Sequence, residues 1–183
     1  MLYIIRHGRT DRNDRHKLQG RTDIPLNDEG RLSAQKAAEE YKTIHFDICY
    51  SSPLIRARET AEILLAGRDI PIVTDERLTE MSFGCFEGVE NSFQQPDCPI
   101  NALYFHPEEY TPQKDGGESL EELFARTGEF LDEVALPQVK KGKDVLIVGH
   151  GAMNSSMISR VLNTPLRDFW KAETGNCKLM KLI

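Results

Sequence analysis

The stretch that most clearly indicates the fold of this chain is residues 2–8, LYIIRHG, in which four apolar residues lead directly into an Arg-His-Gly turn. A short apolar run that is rich in β-branched and aromatic residues is typical of a buried strand. Residues 145–151, VLIVGHG, repeat the arrangement, with a second apolar run and a second His-Gly pair. The two stretches predict buried strands that end close to His7 and His150.

Around these strands, short apolar runs alternate with segments whose apolar residues fall at helical spacing. Helices are predicted after four residues: Asn27, Ser52 (as an N-cap, with Pro53 in the first turn), Ser119 (in a capping box) and His150. Further strands are predicted at Phe46–Tyr50, Ile70–Thr74 and Cys177–Ile183. Alternating strands and helices imply parallel βαβ units. We therefore predict an α/β fold, a three-layer αβα sandwich with a mostly parallel central sheet.

Length and composition indicate an ordinary globular chain. With 183 residues, 39% hydrophobic and 28% charged, we expect a single domain over residues 1–183. The four cysteines are widely spaced without a CxxC pair, so neither a zinc site nor a disulfide framework is indicated. No apolar run approaches the roughly 20 residues of a transmembrane helix, and the N-terminal run is too short for a signal peptide. We expect a cytoplasmic protein.

Charge is distributed unevenly. The formal net charge of −6 disfavours nonspecific binding to nucleic acid or to an anionic membrane. Residues 1–21, however, carry six basic and two acidic side chains, a local charge of +4. We interpret Arg12, Arg15 and Lys17 as a solvated face, and Arg6 as part of a site.

Residues 81–118 interrupt the alternating pattern. They hold six of the fourteen aromatic residues and four of the nine prolines. A long irregular segment in a compact domain is usually either functional or disordered, and the aromatic content disfavours disorder. We predict that this segment is an aromatic cap over a site.

Two of the five histidines share one structural setting. In an open α/β sheet, ligands bind outside the carboxyl ends of the strands. His7 and His150, although 143 residues apart, are therefore predicted at the same edge. A lone histidine at a strand end is more often structural, but a matched pair favours function. His16, His45 and His106 lack this setting, and we interpret them as ordinary surface or loop residues.

Two arginines accompany these histidines. Arg6 precedes His7, and Arg56 falls in the first turn of the helix that follows the second strand. Arg56 could instead pair with Glu59 or Glu62 on the helix surface. The dipole at a helix N-terminus favours anions over arginine, however, so its presence there indicates that an anion is bound. Guanidinium groups and free helix N-termini together predict a phosphate pocket.

At these positions the chain resembles the histidine phosphatase superfamily, the phosphoglycerate-mutase-like proteins. RHGRT at residues 6–10, with Asn13, is similar to the opening RHGxT…N motif of that family. Further similar blocks follow in the family's order over essentially the whole chain, at residues 19–30, 51–60, 78–88, 117–119 and 148–151. The chain departs from the pattern at Arg9, where the family usually has Glu or Gln, at Ser33 in place of Gln, and at residues 154–156, near which an arginine often occurs.

The resemblance implies phosphoryl transfer through a phosphohistidine. His7 would be the nucleophile, and Arg6, Arg56 and His150 would bind the phosphoryl oxygens. Glu80 would be the general acid and base, although a surface carboxylate is the commoner fate of a glutamate. Further phosphate- or substrate-binding residues are expected to be Asn13, Gln19, Gly20 and Gly151. The arginines would neutralise charge in place of a metal, so no metal and no cofactor are expected.

Within the family, the short form of this chain resembles the broad-specificity and α-ribazole-phosphate phosphatases. The phosphoglycerate mutases are generally longer and carry tryptophans in their opening blocks, whereas the single Trp170 lies near the C-terminus. We expect a phosphomonoester hydrolase that acts on a small phosphorylated metabolite. The alternatives are a cofactor-dependent phosphoglycerate mutase and a non-catalytic phospholigand-binding module. The sequence makes no prediction of oligomeric state.

Overall fold

The computed structural model describes residues 1–112, 116–171 and 175–183. Its five strands are β1 Leu2–Arg6, β2 Ile48–Ser51, β3 Ile72–Thr74, β4 Val145–Gly149 and β5 Leu179–Lys181. They form one sheet in the order β3-β2-β4-β1-β5. All neighbouring pairs are parallel except β1 and β5, which are antiparallel. The prediction of a mostly parallel sheet is therefore confirmed.

The helices are α1 Asp11–Asp14, α2 Asp28–Glu40, α3 Ile55–Leu64, α4 Pro99–Phe105, α5 Leu120–Phe130, α6 Leu136–Lys140 and α7 Gly151–Leu162. Asn27 and Ser119 cap α2 and α5 as predicted, Ser119 within a capping box. The third helix begins at Ile55, later than predicted, because Leu54 keeps an extended backbone at the N-cap position. No helix in the described ranges has the length and apolar character that crossing a membrane would require.

Both faces of the sheet are covered, and the side chains of β1 show how. Leu2 and Ile4 pack with residues of α5 and α7 on one face, whereas Ile5 packs with α2 and α3 on the other. Alternating side chains of a strand point to opposite faces, so a strand covered on both sides is apolar throughout. The three layers of the predicted αβα sandwich are thus present.

The segment 81–118, here called the cap segment, packs beside α7; its residues 113–115 lie outside the described residues. Met81, Ile100 and Leu103 are buried there against α5, α7 and Phe169. The segment contains α4 and several short 3₁₀ turns.

The strand order brings distant residues to one edge. β1 and β4 are direct neighbours, with Arg6 opposite Gly149, so the residues that follow both strands emerge side by side. β2 lies on the other side of β4 and leads into α3. The carboxyl ends of these three strands therefore carry the predicted site.

Candidate active site

His7 and His150 meet at this edge. Their ring centroids lie 5.1 Å apart at an interplanar angle of 60°, and both side chains are buried. The His7 backbone N–H donates to the Gly149 carbonyl at 3.0 Å, which fixes the two turns to each other. The structure thus brings together the two histidines that the sequence predicted as a pair.

The contacts of His7 define its tautomer. Its Nδ1 lies 2.6 Å from the Gly8 carbonyl oxygen, which can only accept, so Nδ1 carries the proton. The Nε2 lone pair instead accepts from Arg56 Nε at 3.3 Å. Burial, and then the charges of Arg56 and Arg6, hold the pKa of His7 well below its usual value. His7 is therefore a neutral imidazole whose available lone pair is on Nε2.

The backbone around His7 is held by two further side chains. Thr60 Oγ1 accepts from Gly8 N at 3.0 Å and donates to the Arg56 carbonyl at 2.6 Å. Asn176 Nδ2 donates to the His7 carbonyl at 2.6 Å. The sequence analysis did not identify Asn176, since its approach to His7 depends on β5 lying beside β1, which no local pattern predicts.

Glycine at position 30 lets this turn lie directly on the start of α2. A Cβ atom at Gly30 would overlap the Arg9 carbonyl oxygen and would lie 2.7 Å from Arg9 N. Both are backbone atoms, so a side chain could not move aside to relieve the overlap. The close approach fixes the turn that carries His7.

Arg56 is fully buried and faces the site rather than the helix surface. It donates to the carbonyl oxygens of Gly20 at 2.7 Å and Thr22 at 2.9 Å, in addition to His7. Glu59 pairs with Arg31 instead, so the alternative of a surface ion pair with Arg56 is wrong. Burial lowers the pKa of Arg56 to about 10, so it remains a cation at neutral pH. A buried cation whose direct partners are neutral is suited to an anionic ligand.

Glu80 is buried at the N-terminus of α7. Its Oε1 accepts from Met153 N at 3.0 Å and Met81 N at 2.8 Å, and its Oε2 accepts from Ala152 N at 3.2 Å. A carboxylate is favoured at a helix N-terminus. Glu80 is therefore not a surface carboxylate but part of the same edge. A Cβ atom on Gly151 would lie 3.6 Å from Arg6 Cζ, so the guanidinium of Arg6 adjoins this helix start.

His150 is buried beneath the surface of the site. Within the described part of the chain, neither of its ring nitrogens has a hydrogen-bond partner. Burial, and then the charge of Arg56, holds the pKa of His150 well below its usual value, so the ring is neutral. Buried polar atoms without a partner are costly, and a bound oxyanion would supply one.

Asn13 and Gln19 hold the loop that faces the two histidines. Asn13 Oδ1 accepts from the backbone N–H and the hydroxyl of Thr10, both at 3.1 Å, and Gln19 Oε1 accepts from the same hydroxyl at 2.8 Å. Both oxygens are thus engaged in the loop, and the amide NH₂ groups are the parts that could donate to a ligand. The next residue, Gly20, has a φ of +55°, and its carbonyl oxygen accepts from Arg56 Nη2 at 2.7 Å.

These residues line a cleft with a volume of about 170 Å³. Eight of the nine predicted site residues lie on its walls: Arg6, His7, Asn13, Gln19, Gly20, Arg56, Glu80 and Gly151. His150, the ninth, is not among the lining residues but is buried beside His7. The described residues contain no group of three or more His, Cys, Asp or Glu side chains that could hold a metal ion.

Residues 2–183 match the family model of the histidine phosphatase superfamily (branch 1). The chain belongs to this superfamily. Its relatives include an uncharacterized phosphatase, PhoE, of Bacillus subtilis, 36% identical over 86% of this chain and 75% of PhoE. A 2,3-bisphosphoglycerate-dependent phosphoglycerate mutase of Cytophaga hutchinsonii is 34% identical over 82% of this chain and 72% of the mutase.

Solved structures of the superfamily have the same fold. YhfR from Bacillus stearothermophilus has a TM-score of 0.87 and 31% identity, covering 97% of this chain and 88% of YhfR. The α-ribazole phosphatase from Shigella flexneri has a TM-score of 0.82 and 26% identity, covering 97% and 87% of the two chains. The predictions of a histidine phosphatase fold and of a phosphatase-type enzyme are therefore confirmed.

Two other cleft residues of this histidine phosphatase were interpreted wrongly from the sequence. Arg12 and Lys17 are half-buried and line the cleft rather than forming a solvated face. His16 also borders the cleft, but it is an exposed turn residue, as predicted. Arg15 is exposed, as predicted. Arg9, which departs from the family pattern, forms ion pairs with Asp14 at 2.6 Å and Glu29 at 3.4 Å, and so its charge is neutralised locally.

Proposed function

We propose that this chain hydrolyses phosphomonoesters of small metabolites in two steps, through a phosphohistidine on His7. The observation that carries the proposal is a neutral His7, with its lone pair on Nε2, beside the guanidinium groups of Arg6 and Arg56. Phosphoryl transfer depends mainly on positioning and on stabilising the charge of the equatorial oxygens. Arginine supplies both, because its fork matches phosphate oxygens.

In the first step, His7 Nε2 attacks phosphorus and the bond from phosphorus to the ester oxygen breaks. Glu80 reacts in its protonated form and gives that proton to the leaving oxygen, which leaves the carboxylate that the three backbone N–H groups stabilise. The proton stays on His7 Nδ1, and its hydrogen bond to the Gly8 carbonyl oxygen stabilises the ring as it becomes positive. In the second step, Glu80 takes a proton from water, the resulting oxygen attacks phosphorus, and the N–P bond breaks. Inorganic phosphate leaves and both residues return to their starting states.

Arg6, Arg56 and His150 would bind the phosphoryl oxygens, with the amides of Asn13 and Gln19 and the backbone N–H of Gly151 as further donors. The proposal also includes a single catalytic domain over residues 1–183, which agrees with the extent of the family match. A cytoplasmic location belongs to it as well, and the four free cysteines agree with a reducing compartment.

The test compares wild type with His7→Ala. Wild type should hydrolyse p-nitrophenyl phosphate and should acquire an acid-labile label from a ³²P-labelled ester, whereas the variant should lose both. The exposed His45 provides a control variant, His45→Ala, which should keep both activities. If wild type bound phosphate but showed neither hydrolysis nor labelling, the non-catalytic binding module would be the correct function.

A phosphoglycerate mutase is the second candidate, favoured by the relative from Cytophaga hutchinsonii. A mutase must retain its intermediate and exclude water. The deciding measurement follows 3-phosphoglycerate with a bisphosphoglycerate primer. Isomerisation faster than the hydrolysis of every monoester tested would favour the mutase over the phosphatase.

A further inference from the structure

We propose that the outer part of the cleft binds a second anionic group of the substrate, a carboxylate or a second phosphate, through Arg12 and Lys17. The substrate class is then a phosphomonoester with a short, negatively charged leaving group. This inference rests on the proposed function, because it assigns the rest of the ester that His7 would attack.

The segment that carries Arg12 and Lys17, residues 12–18, is fixed in position by the cap segment. Leu18 N donates to the Val89 carbonyl at 3.0 Å, and Asn91 N donates to the His16 carbonyl at 2.9 Å. The Lys17 backbone N–H donates to the Arg12 carbonyl at 2.8 Å. These bonds hold the backbone of residues 16–18 against the cap, and both cationic side chains line the cleft.

Among the residues that the structure describes, Arg12 and Lys17 have no strong ion-pair partner. In the described part of the chain, no carboxylate lies within ion-pair distance of Arg12, whose Nη1 donates to the Leu18 carbonyl at 3.1 Å. Lys17 Nζ lies 3.7 Å from Glu90 Oε2, and the Glu90 side chain is 56% exposed. Such an exposed pair is worth about 1 kcal/mol or less, so an anionic ligand could compete for Lys17.

The charge in the cleft exceeds what one phosphate needs. Arg6 and Arg56 can neutralise a phosphate dianion, and Glu80 is the one carboxylate among the described residues that line the cleft. Arg12 and Lys17 then add positive charge with no role in the phosphoryl transfer. A second anion on the substrate gives these cations a ligand.

Aromatic side chains also line the cleft, and the cleft is small. Tyr104 stacks on Trp170 with centroids 5.2 Å apart, and Phe93 packs edge-on against Tyr104. The Trp170 indole N–H donates to the Leu103 carbonyl at 2.7 Å, so it is already engaged. The volume of about 170 Å³ is below the roughly 300–1,000 Å³ of pockets for drug-sized ligands. These features favour a short leaving group whose polar end is recognised by Arg12 and Lys17.

The test uses substrate pairs that differ in one anionic group. O-phosphoserine is compared with O-phosphoethanolamine, which lacks the carboxylate. Propane-1,3-diol bisphosphate is compared with propane-1,3-diol monophosphate, which lacks the second phosphate. The first pair therefore tests for recognition of a carboxylate and the second pair for recognition of a phosphate. We expect kcat/KM to be at least about tenfold higher for the more anionic member of one pair, since a hydrogen bond to a charged group is worth about 1.5–3 kcal/mol. Arg12→Gln and Lys17→Gln should each lower that ratio severalfold, mainly through KM. Arg15→Gln, a change to the exposed neighbouring arginine, should keep it.

A binding measurement separates this proposal from the proposed function. The Kd of 3-phosphonopropionate and of propylphosphonate, which cannot be hydrolysed, is measured by calorimetry for wild type and Arg12→Gln. Tighter binding of the carboxylate compound by wild type, lost in the variant, supports the subsite even if no ester is hydrolysed, and an absence of hydrolysis counts against the proposed function alone. The subsite is overturned if kcat/KM is equal for the two members of each substrate pair and the Kd values of the two phosphonates are also equal. It is overturned as well if Arg12→Gln leaves these ratios unchanged.

Discussion

The state of His7 is set by two neighbours. The Gly8 carbonyl holds the proton on Nδ1, and Arg56 lies on the lone-pair side, so the ring is oriented and neutral before any ligand arrives. His150 is neutral for a related reason, burial among cations. Because both imidazoles are neutral, they lie beside two guanidinium groups without adding further positive charge to the site.

The lowered pKa values of His7 and His150 predict a pH-dependent stability. The unfolded chain takes up protons on these residues as the pH falls below about 6.5, whereas the folded chain does not until a lower pH. The free energy of unfolding should therefore decrease as the pH falls from about 6.5, by up to about 1.4 kcal/mol per pH unit for each histidine. Urea unfolding between pH 7.5 and 5 measures this slope.

His150→Gln removes one of the two titrating groups, so its slope should be shallower than that of wild type. Ser51→Ala, at the same sheet edge, changes no titratable group and should keep the wild-type slope even if it lowers stability. Equal slopes for wild type and His150→Gln would contradict a neutral, buried His150.

At the scale of elements, the start of α2 supports the turn after β1. Gly30→Ala should lower both stability, by about 1–3 kcal/mol for overpacking, and kcat, because the Arg9 backbone must move away from the new Cβ. Gly175→Ala is the control: the nearest atom to its Cβ would be Lys178 Cγ at 3.7 Å, an ordinary contact. Thermal unfolding and the rate of p-nitrophenyl phosphate hydrolysis report the two effects. A fully active Gly30→Ala variant would show that the contact is not needed.

An ion pair between Glu118 and Arg126 links the start of the cap segment to α5. The Glu118 carboxylate accepts from Arg126 Nε at 2.6 Å and Nη2 at 2.9 Å, and also from Ser82 N at 3.2 Å, two residues after Glu80. Glu118→Ala leaves the Arg126 charge without its carboxylate and should cost about 3 kcal/mol of unfolding free energy. Asp132→Ala breaks the exposed pair with Arg160 and should cost about 1 kcal/mol or less. Urea unfolding of both variants gives the comparison, and equal losses would contradict the assigned burial.

The sequence predicts elements better than it predicts which residues face the cleft. The ends of β1 and β4 were predictable, because each apolar run stops abruptly at a polar turn. The start of α3 was not, since Ser52 and Pro53 suit a helix start and only the extended backbone at Leu54 shows otherwise. The inward position of Arg12 and Lys17 depends on bonds to the cap segment about 70 residues later, which no local pattern contains.

For the whole molecule, the net charge of −6 and the cationic cleft are compatible, because the cleft collects a few arginines from distant parts of an acidic chain. Under the proposed mechanism, Arg6 and Arg56 supply the positive charge at the phosphate, so hydrolysis should be unchanged after dialysis against a chelator. The steady-state rate with p-nitrophenyl phosphate, before and after chelation, is the measurement. A loss that added Mg²⁺ or Zn²⁺ reverses would contradict arginine-based catalysis.

The position of β1 between β4 and β5 has a consequence for the order in which the protein becomes active. His7 follows the first strand of the sheet, but the neighbouring strand, Val145–Gly149, is the fourth of the five strands to be made. At about 5–20 residues per second, the roughly 140 residues that separate them take about 7–28 seconds to make. A nascent chain therefore carries His7 long before it carries β4 and His150, which lie beside His7 in the folded protein. The pair of histidines is assembled only after β4 and His150 have been translated and have packed beside β1.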